Sequence, residues 1–314
     1  MEQSVGHASY RHECLFYRGT DELVAALLPF VRAGLALDQP VMVALAEPRL
    51  RALRVALGQD ADRVVLADMA DLGHNPASII PAWRAFTNAA AGRPSRGVGE
   101  PIWAGRRDAE IVESQLHEAL LDTAIGSSVP LWLLCPYDVD ALDAAVIAEA
   151  HRSHALVVES VGRAGSSGYG GSDHVMDLFA AALPEPAAPT TVLAFDGERH
   201  GEFAAAILGH AAAAGLPAQR SAKLAAAVDE IAMTAVRAAG AVTVRLWQDE
   251  GALVCQLDDA GIIDDPMIGR SASAPPRSRE RSIRLANELC DLVQVRSGAA
   301  GTVVRVHSWR RPGR

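Results

Sequence analysis

The stretch Leu224-AAAVDEIAMTAVRAA-Gly240 decides the fold of the C-terminal part of this chain. Its alanine-rich, apolar composition predicts a helix, and this helix carries Glu230 four positions before Thr234. A second run, Ala252-LVCQL, predicts a strand that ends in Asp258-Asp259-Ala260-Gly261. The acid on the helix and the acidic turn after the strand are the features that guide the interpretation of residues 191–310.

Around these two features the predicted elements follow a definite order. Two helices, over 201–215 and 220–239, precede two strands that are joined by Glu250-Gly251, a hairpin signal. A further helix and a last strand are predicted within 285–309. Helices grouped over an antiparallel-rich sheet form an α+β layer, and this is the predicted fold class of the C-terminal domain.

This part of the chain resembles the small histidine kinase-like (GHKL) ATPases of bacterial anti-sigma factors, the switch-protein kinase family. The resemblance covers about 191–310 and rests on Glu230, Asp259, Gly261 and the run Leu285-ANELCDLVQVRS-Gly298. It implies a GHKL (Bergerat) sandwich. It also implies that Glu230 is the catalytic acid or base, that Asp259 contacts adenine and that Gly261 forms the adjoining turn.

Two departures from the family pattern concern ATP. Thr234 stands where the family carries the asparagine that ligates Mg²⁺, and the phosphate lid reads Arg279-ERSI-Arg284, without a glycine. Since glycine lets a backbone approach phosphates closely, ATP and Mg²⁺ are expected to bind weakly or not at all. Two structural alternatives stay open: Glu230 as a solvated helix residue, and Asp258–Gly261 as an ordinary turn.

The resemblance also implies a protein partner, either a sigma factor or an anti-anti-sigma (STAS) protein. The alternative is an active serine/threonine kinase of a STAS protein that uses Glu230. An exposed helix face is the expected docking surface, with Ala213 and Ala227 at the contact and Arg220 paired with an acidic partner. The oligomeric state is left open between monomer and homodimer.

Composition narrows the class of protein. The chain has 314 residues, half of them hydrophobic, and a formal net charge of −9, which argues against general nucleic-acid binding. No signal peptide or membrane-length apolar run is visible, so a cytoplasmic protein without membrane contact is expected. The four cysteines are widely separated in sequence, which predicts buried free thiols.

A Gly/Ser-rich run over 163–173 and a Pro-rich run over 184–190 divide the chain. The predicted boundaries are a domain at 8–163, a linker at 164–190 and a domain at 191–310. The first domain alternates strands with helices, and its strands are continuously apolar, which predicts an α/β fold with a mostly parallel sheet. The apolar strand that begins at Leu131 is expected to be central.

Several runs in the first domain resemble the MEDS sensory domain over about 10–160. They are Arg11-HE, Asp68-MADLGHNPASIIPAW, Gly97-VGEPIW, His117-EALL and Cys135-PYD. The resemblance implies a RecA-like sheet and a small, poorly defined signal molecule. No GxxxxGK[ST] phosphate loop is present, so the usual triphosphate site is not expected.

A mostly apolar small-molecule pocket is expected beyond the carboxyl edge of the sheet. Trp103 would form its wall, and Glu100 or Tyr137 its polar anchor. Glu100 and Trp103 lie in a loop made adaptable by Gly97, Gly99 and Gly105, and Tyr137 lies at the end of the apolar strand. A metal site built from His12, Glu113, His117 and Cys135 is an alternative, but a helix-surface Glu–His pair and a core thiol are favoured, so no metal is expected. The predicted pocket residues are His12, Glu100, Trp103, His117, Cys135 and Tyr137.

Overall fold

The structure, a computed structural model, describes residues 9–159, 162–271 and 273–310. The chain forms two compact units, Met1–Val175 and Met176–Arg314. The first is an α/β unit and the second an α+β unit, so both predicted fold classes are confirmed. Within the described ranges, no helix combines the length and hydropathy needed to cross a membrane.

The first unit is built on a seven-stranded sheet of order β3-β2-β4-β5-β1-β6-β7. All neighbouring strands are parallel except β6 and β7. The strand that begins at Leu131 is the central one, as predicted. The strands are β1 (Arg11–Tyr17), β2 (Val41–Leu45), β3 (Val65–Asp68), β4 (Ser95–Gly99), β5 (Leu131–Asp138), β6 (Leu156–Glu159) and β7 (Gly162–Gly165).

Helices cover both faces of this sheet. On one face, α1 and α2 bury a core that includes Leu15, Tyr17 and Val43. On the other face, Gly97 and Gly99 of β4 make room for Trp83 of α4, since a Cβ on Gly97 would lie 2.8 Å from the Trp83 ring. The helices are α1 (Gly19–Ala36), α2 (Arg49–Leu57), α3 (Met69–Leu72), α4 (Ile79–Ala89), α5 (Asp108–Ile125) and α6 (Ala144–Ser153).

The segment predicted as a linker contains regular structure. Strand β7 extends into it, and it holds the helix α7 (Gly171–Ala180), within which the two compact units divide. The start of α7 belongs to the first unit. Gly170, directly before the helix, donates its backbone N–H to the carbonyl oxygen of Arg152 in the same unit at 3.0 Å. In the second unit, Arg305 donates to the carbonyl oxygen of Pro184 at 2.8 Å.

The second unit carries a five-stranded antiparallel sheet of order β11-β12-β10-β9-β8. Glu250 and Gly251 join β9 to β10 with positive φ angles of 44° and 77°, the backbone that a two-residue hairpin requires. Strands β8 and β11 extend the predicted set. The elements are β8 (Thr191–Phe195), α8 (His200–Ala213), α9 (Ala218–Ala239), β9 (Val242–Asp249), β10 (Ala252–Asp259), α10 (Arg279–Leu289), β11 (Leu292–Gly298) and β12 (Gly301–Trp309).

Candidate functional site

Two neighbouring strands of the first unit bring His12 and Cys135 together. Strands β1 and β5 are parallel, and their register pairs Cys14 with Cys135. Because His12 lies two residues before Cys14, His12 and Cys135 project from the same face of the sheet. Nε2 of His12 lies 3.3 Å from Sγ of Cys135. Both side chains are buried. The residues next to them in sequence give no indication that the two are in contact.

Helix α5 adds two carboxylates, one turn apart, above this pair. Glu118 places Oε2 at 3.2 Å from Nε2 of His12. Asp122 places Oδ1 at 3.1 Å from Nδ1 of the same ring, so His12 is held between two acids. The hydroxyl of Tyr169 donates to the other oxygen of Asp122 at 2.7 Å, which fixes the orientation of that carboxylate.

His154, directly after α6, completes the cluster. Its Nδ1 lies 2.8 Å from the carbonyl oxygen of Ala150, which can only accept, so Nδ1 carries a proton. Its Nε2 lies 3.0 Å from Oε2 of Glu118. His12, Glu118, Cys135 and His154 are all buried, and their ligand-type atoms lie within 4.8 Å of one another. These four residues are called the buried cluster below.

The cluster is electrostatically coupled. Burial opposes the charged form of His12, but the contacts with Asp122 and Glu118 outweigh it and raise the pKa of His12 to about 9. Burial likewise opposes charge on Glu118, yet hydrogen bonds with His12 and His154 hold its pKa below the ordinary value. Burial lowers the pKa of His154, and burial together with the charge of Glu118 raises the pKa of Cys135.

Glu100 lies in a separate environment. It is fully buried, it accepts from the hydroxyl of Tyr17 at 2.7 Å, and it forms an ion pair with Arg49 at 2.9 Å. Burial raises the pKa of Glu100, although Arg49 and Tyr17 oppose that shift. Tyr17 belongs to the core between the sheet and helices α1 and α2, so the Glu100 side chain lies on that face of the sheet.

The remaining predicted residues are distributed as follows. Tyr137 packs edge-on against His154, with ring centroids 5.8 Å apart, and therefore lies beside the buried cluster. Trp103 is half-buried and lies against the guanidinium of Arg106 at 4.7 Å. His117 is buried on α5, with Nε2 at 4.0 Å from Glu118.

These positions correct the expectation of one crevice lined by Glu100, Trp103 and Tyr137. Glu100 and Tyr137 have their partners on opposite faces of the sheet, because side chains alternate along each strand. Gly97 and Gly99 lie in β4 and serve close packing on Trp83, not loop freedom. Glu113 and His117 are buried, so the helix-surface interpretation of this pair is wrong.

An apolar pocket of about 440 Å³ lies elsewhere in the first unit. It is bounded by α1 and by strands β1, β5, β6 and β7, and none of the predicted pocket residues lines it. Its side chains are mainly aliphatic and aromatic, with three charged groups among them. They are Leu15, Phe16, Glu22, Ala25, Ala26, Phe30, Trp132, Leu134, Val158, Glu159 and Arg163.

In the second unit, the acidic turn after β10 is occupied by the chain itself. One oxygen of Asp259 accepts from the backbone N–H of Gly261 at 2.8 Å, and the other forms an ion pair with Arg279. The side chain of Asp259 is only 2% exposed as a result. Arg279 is the first residue of α10, so the segment predicted as a phosphate lid forms the first turns of a helix.

A second contact involves Thr234. Its hydroxyl lies 2.9 Å from that of Ser282 on α10 and 3.0 Å from the carbonyl oxygen of Ile231, one turn earlier in its own helix. Thr234 is buried, whereas Glu230, four residues before it, is exposed. We call the groups Asp259, Gly261, Thr234, Arg279 and Ser282 the α9–α10 cleft.

Comparison with known families assigns both units. Residues 11–155 match the model of the MEDS family, the "MEthanogen/methylotroph, DcmR Sensory domain". Residues 194–308 match the model of the histidine kinase-like ATPase domain. The chain joins a MEDS sensory domain to a histidine kinase-like ATPase domain.

Comparisons with solved structures and with curated proteins give less information than the family models. A solved structure described as the RsbU and RsbW domains of Rv1364c from Mycobacterium tuberculosis is 17% identical, with a TM-score of 0.28. The similarity covers 39% of this chain and about a third, 33%, of that one. No curated protein matches the chain.

The ATPase-like domain invites a test for ATP and Mg²⁺, and the cleft does not fit them. Asp259, the residue expected to contact adenine, is already neutralised by Arg279. Thr234, at the expected Mg²⁺ position, directs its hydroxyl to a helix carbonyl and to Ser282. A hydroxyl with two such partners is a poor metal ligand, and an ion-paired carboxylate is a poor acceptor for an amino group.

The expected docking face of the ATPase-like domain also needs correction. Ala227 is fully buried within α9, and Arg220 is paired with Asp291 and with the carbonyl oxygen of Trp309 in its own domain. Ala213 is exposed at the end of α8, and Leu208 on the same helix is 41% exposed. On α9, Lys223 and Ala226 are exposed as well, so both helices keep exposed residues on the predicted surface.

Sequence reasoning found two members of the buried cluster and missed the other two. Neither Glu118, which is adjacent to His117, nor His154 was among the predicted site residues, yet both are buried. The signal for Glu118 is its place one turn before Asp122 on a helix that packs on the sheet. No spacing in the sequence indicates that His154 returns to β1. The four cysteines are free and buried, as predicted.

Proposed function

We propose that the chain is a cytoplasmic signalling regulator in which the MEDS domain receives a small-molecule signal and the ATPase-like domain binds a protein without turning over ATP. The partner is a sigma factor or a STAS-type antagonist of the kind implied by the anti-sigma resemblance. The observation that carries the proposal is the closed α9–α10 cleft, where Arg279 neutralises Asp259 and Ser282 engages Thr234.

Loss of nucleotide binding follows from this cleft. To contact Asp259, adenine would have to displace a guanidinium that already forms a charge-assisted hydrogen bond, and these are among the stronger polar contacts in proteins. Glu230 is exposed, whereas Thr234 and Ser282 are buried. The helices and sheet of the ATPase-like fold are present, but the side chains expected to contact a nucleotide contact one another instead. This combination favours a role in protein binding.

The test is calorimetry of the full-length chain with ATP and Mg²⁺, in which little heat is expected. The triple variant Thr234→Asn, Arg279→Gly and Ser282→Gly should gain affinity, because it frees Asp259 and restores a flexible lid. A sub-micromolar dissociation constant for the unaltered chain would refute the proposal. Transfer of labelled phosphate from ATP to a purified STAS protein, abolished by Glu230→Ala, would establish the kinase alternative instead.

The signal is proposed to bind in the apolar pocket of the MEDS domain. The pocket volume, about 440 Å³, and its aromatic and aliphatic lining suit a small apolar molecule, while Glu22, Glu159 and Arg163 offer polar anchors. Exposure of Ala26 on α1 at this pocket makes it a position where a larger side chain can be introduced without disturbing the core.

Thermal unfolding of the full chain with benzene and short alkanols as probes tests this pocket. The midpoint should rise with probe concentration in the unaltered chain, because a ligand that binds the folded state stabilises it. Ala26→Trp should abolish the rise by filling the pocket. Ala89→Trp, at an exposed position on α4, is the matched control. An equal rise in the Ala26→Trp variant would place the probe elsewhere.

A further inference from the structure

The buried cluster has the donor set of a transition-metal site. It offers two imidazole nitrogens, one thiol sulfur and one carboxylate oxygen, from His12, His154, Cys135 and Glu118. These are the side chains that bind Zn²⁺ and related divalent ions in proteins. They come from β1, α5, β5 and the residue after α6, so the fold itself assembles them.

The distances are close to those around a four-coordinate ion. Bonds of about 2.0–2.3 Å in tetrahedral geometry place neighbouring ligand atoms about 3.3–3.8 Å apart. Nε2 of His12 is 3.2 Å from Glu118 Oε2 and 3.3 Å from Cys135 Sγ. Nε2 of His154 is 3.0 Å from the same Glu118 oxygen. Small outward rotations of the side chains are enough to admit an ion between them.

The outer contacts give stronger support than the distances. Metal-bound histidines almost always donate their second ring N–H to a carboxylate or a backbone carbonyl. Nδ1 of His12 is oriented to Asp122 at 3.1 Å, and Nδ1 of His154 to the carbonyl oxygen of Ala150 at 2.8 Å. Both rings are thus held with Nε2 directed to the same point, where Glu118 and Cys135 converge.

The orientation of His154 bears on what can lie between the four side chains. In the neutral ring with its proton on Nδ1, Nε2 carries a lone pair that faces a carboxylate oxygen of Glu118 at 3.0 Å. Among the described residues this nitrogen is buried, and it has no hydrogen-bond partner other than this carboxylate. Two lone pairs at this distance repel each other unless a proton or a metal ion lies between them. A metal ion at this point would also use the sulfur of Cys135.

We propose that the MEDS domain binds one divalent transition-metal ion, Zn²⁺ or a close analogue, through His12 Nε2, Glu118 Oε2, Cys135 Sγ and His154 Nε2. Cys135 binds as the thiolate and His12 as the neutral imidazole with its proton on Nδ1, so the thiol and Nε2 of His12 each release one proton to solvent. The thiolate and the Glu118 carboxylate together balance the charge of the ion. Four protein ligands complete a tetrahedron, which is typical of a structural or regulatory site and not of a hydrolytic one.

Cobalt substitution of the full-length chain tests the assignment. The chain is stripped with a chelator and titrated with Co²⁺, and its absorption spectrum is recorded while metal content is measured by mass spectrometry. We expect one equivalent to bind, with intense visible bands of a tetrahedral ion and a sulfur-to-cobalt charge-transfer band in the near ultraviolet. Cys135→Ser should remove the charge-transfer band, whereas Cys14→Ser, its register partner on β1, should retain it.

Two further variants separate ligand loss from misfolding. Asp122→Asn should keep the fold, since its side chain is 34% exposed, but weaken metal binding by about 10–100-fold through the orientation of His12. His154→Gln should lose the tetrahedral spectrum, and His151→Gln should not. The proposal is overturned if the unaltered chain takes up no stoichiometric Co²⁺ or Zn²⁺, or if Cys135→Ser and His154→Gln bind with the spectrum and affinity of the unaltered chain.

Discussion

The buried cluster of the MEDS domain and the α9–α10 cleft of the ATPase-like domain are both rich in buried polar groups, but their groups are satisfied in opposite ways. In the cluster, Asp122 and the carbonyl of Ala150 contact the Nδ1 atoms of the two histidines, which leaves both Nε2 atoms directed to one point. In the cleft, Arg279 and Ser282 occupy the groups that a nucleotide would need. Burial of polar side chains alone therefore does not identify a binding site. A site is indicated when the atoms that can bind a ligand are directed to one point and are not used by contacts within the chain.

The largest effect is expected from breaking the cluster at its shared acceptor. Glu118→Leu removes the carboxylate that contacts both His12 and His154 and leaves two buried imidazoles behind. Removing one partner of a buried charged network costs about 3–5 kcal/mol, so the free energy of unfolding of the MEDS domain should fall by that amount. Urea unfolding of the full-length chain, followed by circular dichroism, measures the change.

Asp122→Asn is the matched control for this prediction. Asp122 contacts the same ring as Glu118, but its side chain is 34% exposed, so water can replace much of what is lost. A loss of about 1 kcal/mol or less is expected for it. Equal destabilisation by the two variants would mean that Glu118 is not the centre of the network.

The fold was largely predictable, because the signals involved are local. Continuous apolar strands alternating with helices predicted the parallel sheet, and Glu250-Gly251 predicted the hairpin of the second unit. In the second unit, two strands were missed for physical reasons. Strand β8 is an edge strand with exposed residues such as Val192, so it lacks an apolar alternation. Strand β11 follows α10 after two residues, Cys290 and Asp291, and its sequence was interpreted as a continuation of that helix.

The candidate site was only half predictable, because its contacts are distant in sequence. His12 lies 106 residues from Glu118 and 123 from Cys135. The strand ends indicated His12 and Cys135, but which helix residue faces them depends on the rotation and depth of α5. Likewise, the substitutions at Thr234 and in the lid predicted a weakened nucleotide site, whereas the ion pair of Asp259 with Arg279 depends on how α10 packs against α9.

The smallest expected effect sharpens the other side of the comparison, the closure of the cleft. The hydroxyls of Thr234 and Ser282 lie 2.9 Å apart, and each also contacts a carbonyl oxygen of its own helix. A double-mutant cycle with Thr234→Val and Ser282→Ala should therefore give a coupling energy of about 0.5–1 kcal/mol, the net value of one buried hydrogen bond between neutral groups. Urea unfolding of the two single variants, the double variant and the unaltered chain provides the four values. Coupling below about 0.3 kcal/mol, within the usual error of additivity, would mean that the hydroxyls do not hold α9 and α10 together and that the ion pair between Asp259 and Arg279 closes the cleft alone.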